Sequence, residues 1–392
     1  MTRPNFRAGQ IISQGYYPMT KPNSFNWRWT LIADVLLAIL VIFNSNAILF
    51  SLLLVEAVLW LIRLVWISPL LFRFIIRRLI HMIPMLFVVV ATGFALIQLA
   101  PGDIFSTMAL NPNIRPSDLE NFRRNFGMDQ PWGVQFFKFI WNALHGDFGI
   151  SQIYKSPVFM IVSQRASNTI LLSIVVIVAA WGFSIPAGIY AATHQYKLGD
   201  QTISVLAFIG LSIPNYFLAF LLIFLISKTG NWLPLGGMHA VNSGDLNWFM
   251  YMLDTLKHMI LPVFVIATSA MASLTRIMRA NMLEIMGQQY ITTARAKGLS
   301  EKKVVYKHAL RNAINPMITI FGFQFGAILG GSALVERVLA WPGLGKVMLE
   351  AILAQDLYLV VGSLLYGVIL LILGNLLADI VLAIVDPRVR IS

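Results

Sequence analysis

Six long apolar stretches dominate the chain from residue 79 onward, and they constrain its fold more than any other feature. They lie at about 79–100, 166–191, 202–227, 256–279, 314–335 and 358–385. Each is long enough for an α-helix to cross the hydrocarbon core of a bilayer, which takes roughly 20 apolar residues. Transmembrane β-strands would instead alternate in polarity over about ten residues. The pattern therefore predicts an all-α polytopic membrane protein with a six-helix core.

The composition of the chain supports this class. Charged residues make up 12% and hydrophobic residues 58% of the 392 positions, whereas a soluble domain carries about 25% charged residues. A chain of this length with so little charge cannot cover a water-facing surface. It contains no cysteine, which excludes disulfides and thiol chemistry but does not indicate a compartment. The net charge of +12 does not indicate nucleic-acid binding, because the basic residues flank apolar spans.

The charges between the apolar runs predict the orientation of the spans. Three arginines within 73–78 precede the first span, and the positive-inside rule places that end in the cytoplasm. Segment 101–164 has five basic and five acidic residues, as an external segment should. Segment 276–312 has eight basic and two acidic residues, so it is expected inside, as is the tail at 386–390. Both termini are therefore predicted to be cytoplasmic.

The N-terminal extension, 1–72, is expected to be a domain of its own, preceding a transmembrane domain at 73–392. Its apolar part is interrupted by Asn-Ser-Asn at 44–46. We expect a two-helix membrane hairpin with legs at about 28–43 and 47–67, because basic residues on both sides place both ends in the cytoplasm. A single span and an interfacial helix are the alternatives, since the first leg is short for a span.

The external segment 101–164 is predicted to be a compact helical cap resting on the membrane face. It contains the amphipathic stretch SDLENFRRNF at 117–126, where Ser117 suits a helix N-cap. An aromatic-rich stretch follows at 132–141. Those aromatic residues suit either an interfacial belt or the packing of the cap itself.

Motifs of catalysis are missing from the sequence. It has no Walker-type glycine loop, no HExxH, no nucleophile elbow and no Cys/His cluster, so ATP or metal binding by those routes is excluded. We expect a transport subunit rather than an enzyme, with no cofactor bound by this chain. The scattered histidines are expected to serve as hydrogen-bonding or interface residues; they are His81, His194, His239, His258 and His308, with His145 in the external segment.

The predicted spans carry almost no charge in their interiors, and Asp379 lies near the cytoplasmic end of the sixth. A proton- or sodium-coupled carrier usually needs ionisable groups at mid-membrane, and a channel needs a filter or a charged ring. Both classes are therefore disfavoured, although a secondary carrier remains the alternative from a different class. Pro186, Pro214 and Pro262 can bend spans two, three and four.

The loop 281–313 is predicted to be two helices that meet at a corner. The first runs over 281–297 as a continuation of span four. Gly298 then ends it, as a residue that takes positive φ cheaply. Ser300 is expected to cap a second helix over about 301–312, with Glu301 in its first turn. From spacing alone, this loop is either a docking element for a partner or an ordinary basic loop.

Several motifs in order resemble one branch of the ABC importer permeases, which handles dipeptides, oligopeptides and nickel. The motifs are TARAKGLS with HALRNAINP at 293–316, APGD at 100–103, GDFGIS at 146–151, SPV at 156–158, AGIYAATH at 187–194, LSIPNYF at 211–217, GGSALVERVLAWPGLGK at 330–346 and DPRVR at 386–390. The resemblance covers about 74–392. Departures are Thr292 in place of a frequent Glu, Ser167 in place of a common Pro, and Leu357 within a usual Asp-Tyr-Pro.

The resemblance implies the type I ABC importer fold, in a bacterial or archaeal cell membrane. It also implies a second homologous permease subunit, two cytoplasmic ATPase subunits that bind ATP and Mg, and an extracytoplasmic substrate-binding protein. A coupling loop would dock on an ATPase through Thr292, Thr293, Ala294, Arg295, Ala296, Lys297, Gly298 and Leu299. Since Thr292 is too short to replace a Glu, coupling is expected to rest on shape and on Arg295 and Lys297.

Two further sets of residues follow from the resemblance. An outer mouth or gate after span five would include Glu336, Arg337, Trp341, Pro342, Gly343 and Gly345. Small and polar residues on spans two to five are expected to line the path, namely Ser173, Ser212, Asn215, Ser269, Ser273, Gln324 and Gly326. Peptides are the expected substrate, and nickel, opines or oligosaccharides are the alternatives within the family.

Overall fold

The computed structural model describes residues 69–99, 109, 115–125, 127, 129–230, 232–318, 320, 321, 324 and 333–385. Across these residues the secondary structure is helical, and the only β-type pairing among them is an isolated bridge between Ile150 and Pro157. The predicted N-terminal hairpin and half of the predicted fifth span lie outside the described residues. The all-helical prediction is confirmed for the part described.

The helices have the following bounds. In chain order they are α1 (Pro69–Leu99), α2 (Pro116–Asn125), α3 (Trp132–Leu144), α4 (Val158–Thr193), α5 (Leu198–Ser212), α6 (Asn215–Lys228), α7 (Trp248–Met286), α8 (Gln289–Ala296), α9 (Glu301–Lys303), α10 (Leu310–Ala313), α11 (Ala333–Val338), α12 (Leu344–Leu353) and α13 (Leu357–Val385), with a 3-10 turn at Ser243–Asp245 and a π-helical segment at Val304–Ala309.

Three helices in the described part of the chain are long and apolar enough to cross a membrane, namely α4, α7 and α13. Within α1, the stretch Ile80–Leu96 forms a shorter apolar helix. These elements fall on the predicted first, second, fourth and sixth spans. In α4, α7 and α13, fewer than half of the residues in the most apolar stretch are buried within the described structure, as expected of helices that meet lipid or other subunits.

The predicted third span is two helices rather than one. Helices α5 and α6 meet at an angle of 101°, and together they are apolar enough to count as a fourth, broken span. The break lies at Ile213 and Pro214, where Ile213 adopts an extended conformation. Proline lacks the N–H that a helix needs and disfavours helical geometry in the residue before it. Pro214 therefore bends the chain, whereas Pro186 and Pro262 lie within the continuous helices α4 and α7.

The packing of α4 on α7 is the most extensive contact between described helices. Gly188 makes the close approach possible, because a Cβ at that position would lie 2.6 Å from the Cβ of Met278. Nearby, the Ser184 hydroxyl donates a hydrogen bond to the carbonyl oxygen of Met271 at 3.1 Å. Small residues of this kind let membrane helices pack closely. Close packing matters there because lipid chains are as apolar as the side chains, so the hydrophobic effect does not drive helices together.

The external segment contains two described helices, α2 and α3. Helix α2 begins at Pro116, so Ser117 lies in its first turn and the predicted N-cap is wrong by position; proline is favoured at the first helical residue. Helix α3 buries Phe136 and Phe139 against α1 and α13. Phe137 remains exposed. The aromatic residues therefore serve the packing on one face of α3 and remain uncovered on the other.

Candidate functional site

The basic loop after α7 folds as two short helices around Gly298. Helix α7 ends at Met286, and α8 starts after an extended Gln288. The prediction of one continuous helix over 281–297 is therefore wrong, since Gly287 interrupts it. Helix α8 is the first arm of the corner, and the second arm begins at Glu301.

A Schellman motif closes α8 at Gly298. The Gly298 N–H donates to the Arg295 carbonyl at 2.9 Å, and the Leu299 N–H donates to the Ala294 carbonyl at 3.4 Å. Gly298 has φ of +75°, the left-handed conformation that this motif requires and glycine adopts without strain. The predicted corner at Gly298 is thus confirmed, and its geometry comes from satisfying the last carbonyl groups of α8.

The second arm runs without interruption from Glu301 to Ala313, through α9, the π-helical segment and α10. Ser300 occupies the N-cap position, but its side chain makes no capping hydrogen bond within the described structure, so that detail of the prediction is wrong. The wide π-helical turn at Val304–Ala309 points Val304, Val305 and Ala309 into the protein. Insertions of this kind are frequent at functional sites.

An ion pair spans the corner. The Arg295 Nε lies 2.9 Å from Oε1 and 3.3 Å from Oε2 of Glu301. The two side chains are 39% and 62% exposed, so water screens the pair and it contributes little to stability. It does fix the direction of the Arg295 guanidinium, which lies along the second arm.

One face of α8 is buried and the other is open. Ile291 and Ala294 are buried, so Ala294 packs within this chain and is not at the surface where a partner would approach. The exposed face consists of Thr292, Thr293, Arg295, Ala296, Lys297 and Gly298. Leu299 is half-buried. The described structure thus divides the predicted coupling residues into an inward-facing anchor and an outward-facing surface.

Side-chain hydrogen bonds fasten the second arm to α7 and the two arms to each other. The Asn281 Nδ2 on α7 donates to the Ala313 carbonyl at 3.1 Å, and the Asn312 Nδ2 donates to the Tyr290 hydroxyl at 2.8 Å. A cavity of about 550 Å³ lies where the corner meets the ends of α4 and α7. Its wall includes Tyr190, Arg295 and Glu301. The corner is therefore tied to the long helices, with open space beneath it.

An ion pair between a buried carboxylate and a half-buried arginine, near this end of α7, was not predicted from the sequence. Asp200, at the start of α5, accepts from Nε and Nη2 of Arg279 at 2.6 and 2.8 Å. The Tyr196 N–H also donates to the Asp200 carboxylate at 2.9 Å. A two-pronged Arg–carboxylate pair combines charge with fixed geometry. It links the start of the bent pair α5–α6 to the end of α7 that carries the corner.

The segment after α11 folds around a buried carboxylate. Glu336 is fully buried, and its oxygens accept from the Thr169 hydroxyl at 3.1 Å and the Lys346 N–H at 2.9 Å. The Thr169 hydroxyl in turn accepts from the Leu344 N–H at 2.7 Å. Carboxylates inside a protein need such partners because burying an unbonded charge is costly. Glu336 therefore organises this segment from within, and Arg337 beside it is exposed.

The other predicted mouth residues gather around the same carboxylate. Trp341 is fully buried, and the Asn168 Nδ2 holds the Pro342 carbonyl at 2.9 Å. A Cβ on Gly343 would overlap the Glu336 carboxylate, and one on Gly345 would lie 2.8 Å from the Ala333 Cα. The structure thus brings the predicted mouth residues into one tightly packed turn seated on α4.

The predicted path residues occupy different surroundings. Ser212 and Asn215 flank the bend between α5 and α6, and Ser269 and Ser273 lie one turn apart on α7. Gln324 accepts a hydrogen bond from Nε1 of Trp181 at 2.6 Å, so it joins the predicted fifth span to α4. Ser173 is buried in the packing of α4, which does not fit a lining residue. Gly326 lies outside the described residues.

Comparison with known proteins places these features in a family. Residues 184–391 match the family described as the binding-protein-dependent transport system inner membrane component, and residues 71–176 match the N-terminal part of such membrane components. The chain belongs to this family of transport permeases. Both matches leave out the first 70 residues, where the predicted hairpin lies.

Two relatives match this chain over most of its length. An oligopeptide transport system permease protein of Bacillus subtilis strain 168 is 41% identical over 318 residues, which cover 81% of this chain and 99% of the relative. A dipeptide transport system permease protein of Escherichia coli strain K12 is 35% identical over 334 residues, which cover 81% and 98%. The permease is therefore similar to each over almost the relative's whole length.

A second buried carboxylate holds the loop before α4. Asp356, which is fully buried, accepts from the Ser151 hydroxyl at 2.7 Å and from the N–H groups of Gln152 and Ile153 at 2.7 and 3.1 Å. The Tyr154 hydroxyl donates to Glu350, and burial raises the pKa of Tyr154 to about 12. The sequence signals only the local part of this role, because an Asp just before an apolar helix is a typical N-cap, and Asp356 Oδ1 accepts from the Leu359 N–H at 3.3 Å.

The predicted histidine roles are confirmed for His239 and His258, but these two are not isolated. Both approach Asp254, with His239 Nδ1 at 3.7 Å and His258 Nδ1 at 3.3 Å from its carboxylate. Tyr251 stacks on His239 and its hydroxyl lies 2.8 Å from Nε2. The loop that carries His239 also reaches the turn around Glu336, through a Gly237 N–H to Leu339 carbonyl bond of 2.8 Å.

Proposed function

We propose that this chain is one of the two permease subunits of an ATP-driven ABC importer that takes up peptides. The observation that carries the proposal is the Gly298 corner, held on α7 of a permease-family chain with an exposed face free for a partner. Relatives named as oligopeptide and dipeptide permeases support peptides as the substrate class. Nickel, opines or oligosaccharides are the alternatives within the family.

In this proposal the membrane domain has six spans, with the corner in the cytoplasm and both termini inside. The excess of basic residues in 276–312 supports that orientation. The apolar helices α4, α7 and α13, the bent pair α5–α6 and the apolar part of α1 support five of the spans. The remaining span, the fifth in chain order, would run over about 314–335.

The exposed face of α8 would contact a cytoplasmic ATPase subunit. The contact surface would be shallow and would carry a single positive charge; it consists of Thr292, Ala296 and Lys297. Arg295 would instead hold the corner through its ion pair with Glu301. A movement imposed on α8 would pass to α7 through the Asn281–Ala313 hydrogen bond. It would reach the bent pair through the Asp200–Arg279 ion pair. In this proposal the ATPase subunits bind ATP and Mg, and this chain transmits their movement to the membrane helices.

On the opposite side, the packed turn around Glu336 would form the mouth on which the substrate-binding protein delivers its ligand. The path would run past the bend at Ser212 and Asn215 and past Ser269 and Ser273. Gln324 would border this path, held by Trp181. The surrounding lipid and a second homologous permease subunit would cover the apolar outer surfaces.

The test is reconstitution of this chain with its candidate partners in liposomes. Uptake of a labelled oligopeptide should require ATP, the ATPase subunits and the binding protein together. Lys297→Glu should abolish most of the uptake, whereas Lys307→Glu, with the same charge change in the same loop, should retain it. Uptake driven by an ion gradient without ATP would instead favour a secondary carrier. Uptake of Ni²⁺ but not of peptide would change the assigned substrate from peptides to nickel.

A further inference from the structure

Helix α3 is apolar on two opposite faces. One face carries Phe136 and Phe139, which pack against α1 and α13. The other face is a stripe that nothing in the described structure covers; it consists of Val134, Phe137, Trp141 and Leu144, spaced three, four and three residues apart and 47, 67, 66 and 77% exposed. At 100° per residue these four positions share one side of the helix. Lys138 and Asn142 lie between the two apolar faces.

The position of α3 along α1 bears on what surrounds it. The Phe136 ring lies 5.3 Å from that of Phe87 and 5.7 Å from that of Phe94. Both partners belong to the apolar stretch Ile80–Leu96 of α1. Seven residues of helix span about 10 Å, so α3 lies beside the apolar run over that length and not beyond its end. Phe94 is two residues from the end of that run at Leu96, so Phe136 lies beside the half of the run that leads to the external segment.

We propose that α3 is an interfacial helix whose stripe of Val134, Phe137, Trp141 and Leu144 is embedded among phospholipid chains at the edge of the bilayer. Its 13 residues are about 20 Å long, too short to cross the hydrocarbon core. The tryptophan in the stripe suits the boundary between head groups and acyl chains. Lys138 lies on the flank, where its stem covers apolar surface and its ammonium group donates to the Gln130 amide oxygen at 3.3 Å.

Lipid is favoured over a protein partner because the stripe continues an apolar surface that already exists. Phe137 packs edge-on against Phe136 with ring centroids 5.3 Å apart, and Phe136 packs against Phe87, which is itself about half exposed. A band of aromatic rings thus leads from the outer surface of α1 to the stripe. An apolar patch of this size is rare on a water-facing surface.

The absence of cysteine from the chain makes a depth measurement direct. Phe137→Cys and Trp141→Cys place spin labels on the stripe, and Asn142→Cys places a matched label on the polar flank. Each full-length variant is purified with the subunits that accompany it and reconstituted in bilayers of phosphatidylethanolamine and phosphatidylglycerol. Power saturation then compares collisions with oxygen, which concentrates in lipid, and with a water-soluble nickel chelate.

The labels at 137 and 141 should collide with oxygen at least several times more effectively than with the chelate, and the label at 142 should show the reverse ratio. Two results would overturn the proposal. Strong collision of the 137 and 141 labels with the chelate would place the stripe in water. Weak collision with both reagents would place it against another protein subunit. Native-like thermal unfolding of each labelled variant verifies that the helix is still folded.

Discussion

Arg295 and Glu301 meet across the Gly298 corner, with Nε of one 2.9 Å from Oε1 of the other. Because both side chains are substantially exposed, the pair stabilises the fold by at most about 1 kcal/mol. Its consequence is geometric, since it commits Arg295, the one basic residue within α8, to the second arm. Lys297 has no such restraint among the contacts of the described residues, so in the proposed importer it would be the cation that faces the ATPase subunit.

A charge swap separates the two roles of Arg295. Arg295→Glu places two carboxylates together and should lower transport several-fold with little change in thermal stability, because like charges open the corner. Adding Glu301→Arg should restore most of the transport if the pair acts within the chain. Transport that stays low in the double variant would show that Arg295 itself contacts the ATPase.

Gly298→Ala should cost about 1 kcal/mol of unfolding free energy, since an L-residue is strained in the left-handed region. No described atom lies within 4 Å of the added methyl group, so the cost comes from the backbone alone. Gly287→Ala is the matched control, because Gly287 has φ of −80° and only ordinary contacts. Melting temperatures and uptake are measured for both. If the two variants behave alike, the left-handed conformation at Gly298 is unimportant for stability and uptake.

Gly343→Ala should be more damaging than either, because its Cβ would overlap the buried Glu336 carboxylate. Overpacking of this kind typically costs about 1–3 kcal/mol, here with the added displacement of a charge from its hydrogen bonds. Gly367→Ala in α13 is the control, since no described atom lies within 4 Å of its added methyl group. Thermal unfolding in detergent compares them. An unchanged melting temperature for Gly343→Ala would contradict the packed turn.

The parts of this architecture that the sequence predicted are those with a local cause. The apolar runs that became α4, α7 and α13 follow from length and hydropathy, and the Gly298 corner follows from the single residue able to close it. The break at Gly287 was missed because a glycine in a helical pattern does not always interrupt the helix. Pro214 was recognised as a site of bending, but no local rule gives an angle of 101°.

Long-range pairings were beyond prediction for a different reason. Asp200 and Arg279 are 79 positions apart and Ser151 and Asp356 are 205 apart, so their meeting depends on the packed fold. The same holds for Glu336, which the sequence assigned to an outer mouth and the structure buries completely. The Glu336 carboxylate fits there because Gly343 and Gly345 have no side chain that would collide with it. Sequence periodicity does not reveal such a relationship.

The loop that carries His239 should loosen in acid. Burial lowers the pKa of His239 below its ordinary 6.5, and the nearby His258 adds to this, so together they outweigh the attraction of Asp254. His239 binds a proton less well in the docked loop than in the undocked loop. The docked state therefore becomes less stable as the pH falls, because protonation favours the undocked loop. Docking is therefore complete above about pH 6.5 and weakens below it, towards the lowered pKa.

Hydrogen–deuterium exchange of residues 232–247 measures this docking, with exchange times scaled for the intrinsic effect of pH. Protection should fall between pH 7.5 and pH 5.5 in the natural chain and should be independent of pH in His239→Gln. His81→Gln, at an exposed position on α1, should leave the pH profile unchanged. Because Gly237 in this loop donates a hydrogen bond to Leu339, the protection of the turn around Glu336 should fall together with that of the loop. A pH profile that persists in His239→Gln would assign the titration to another group.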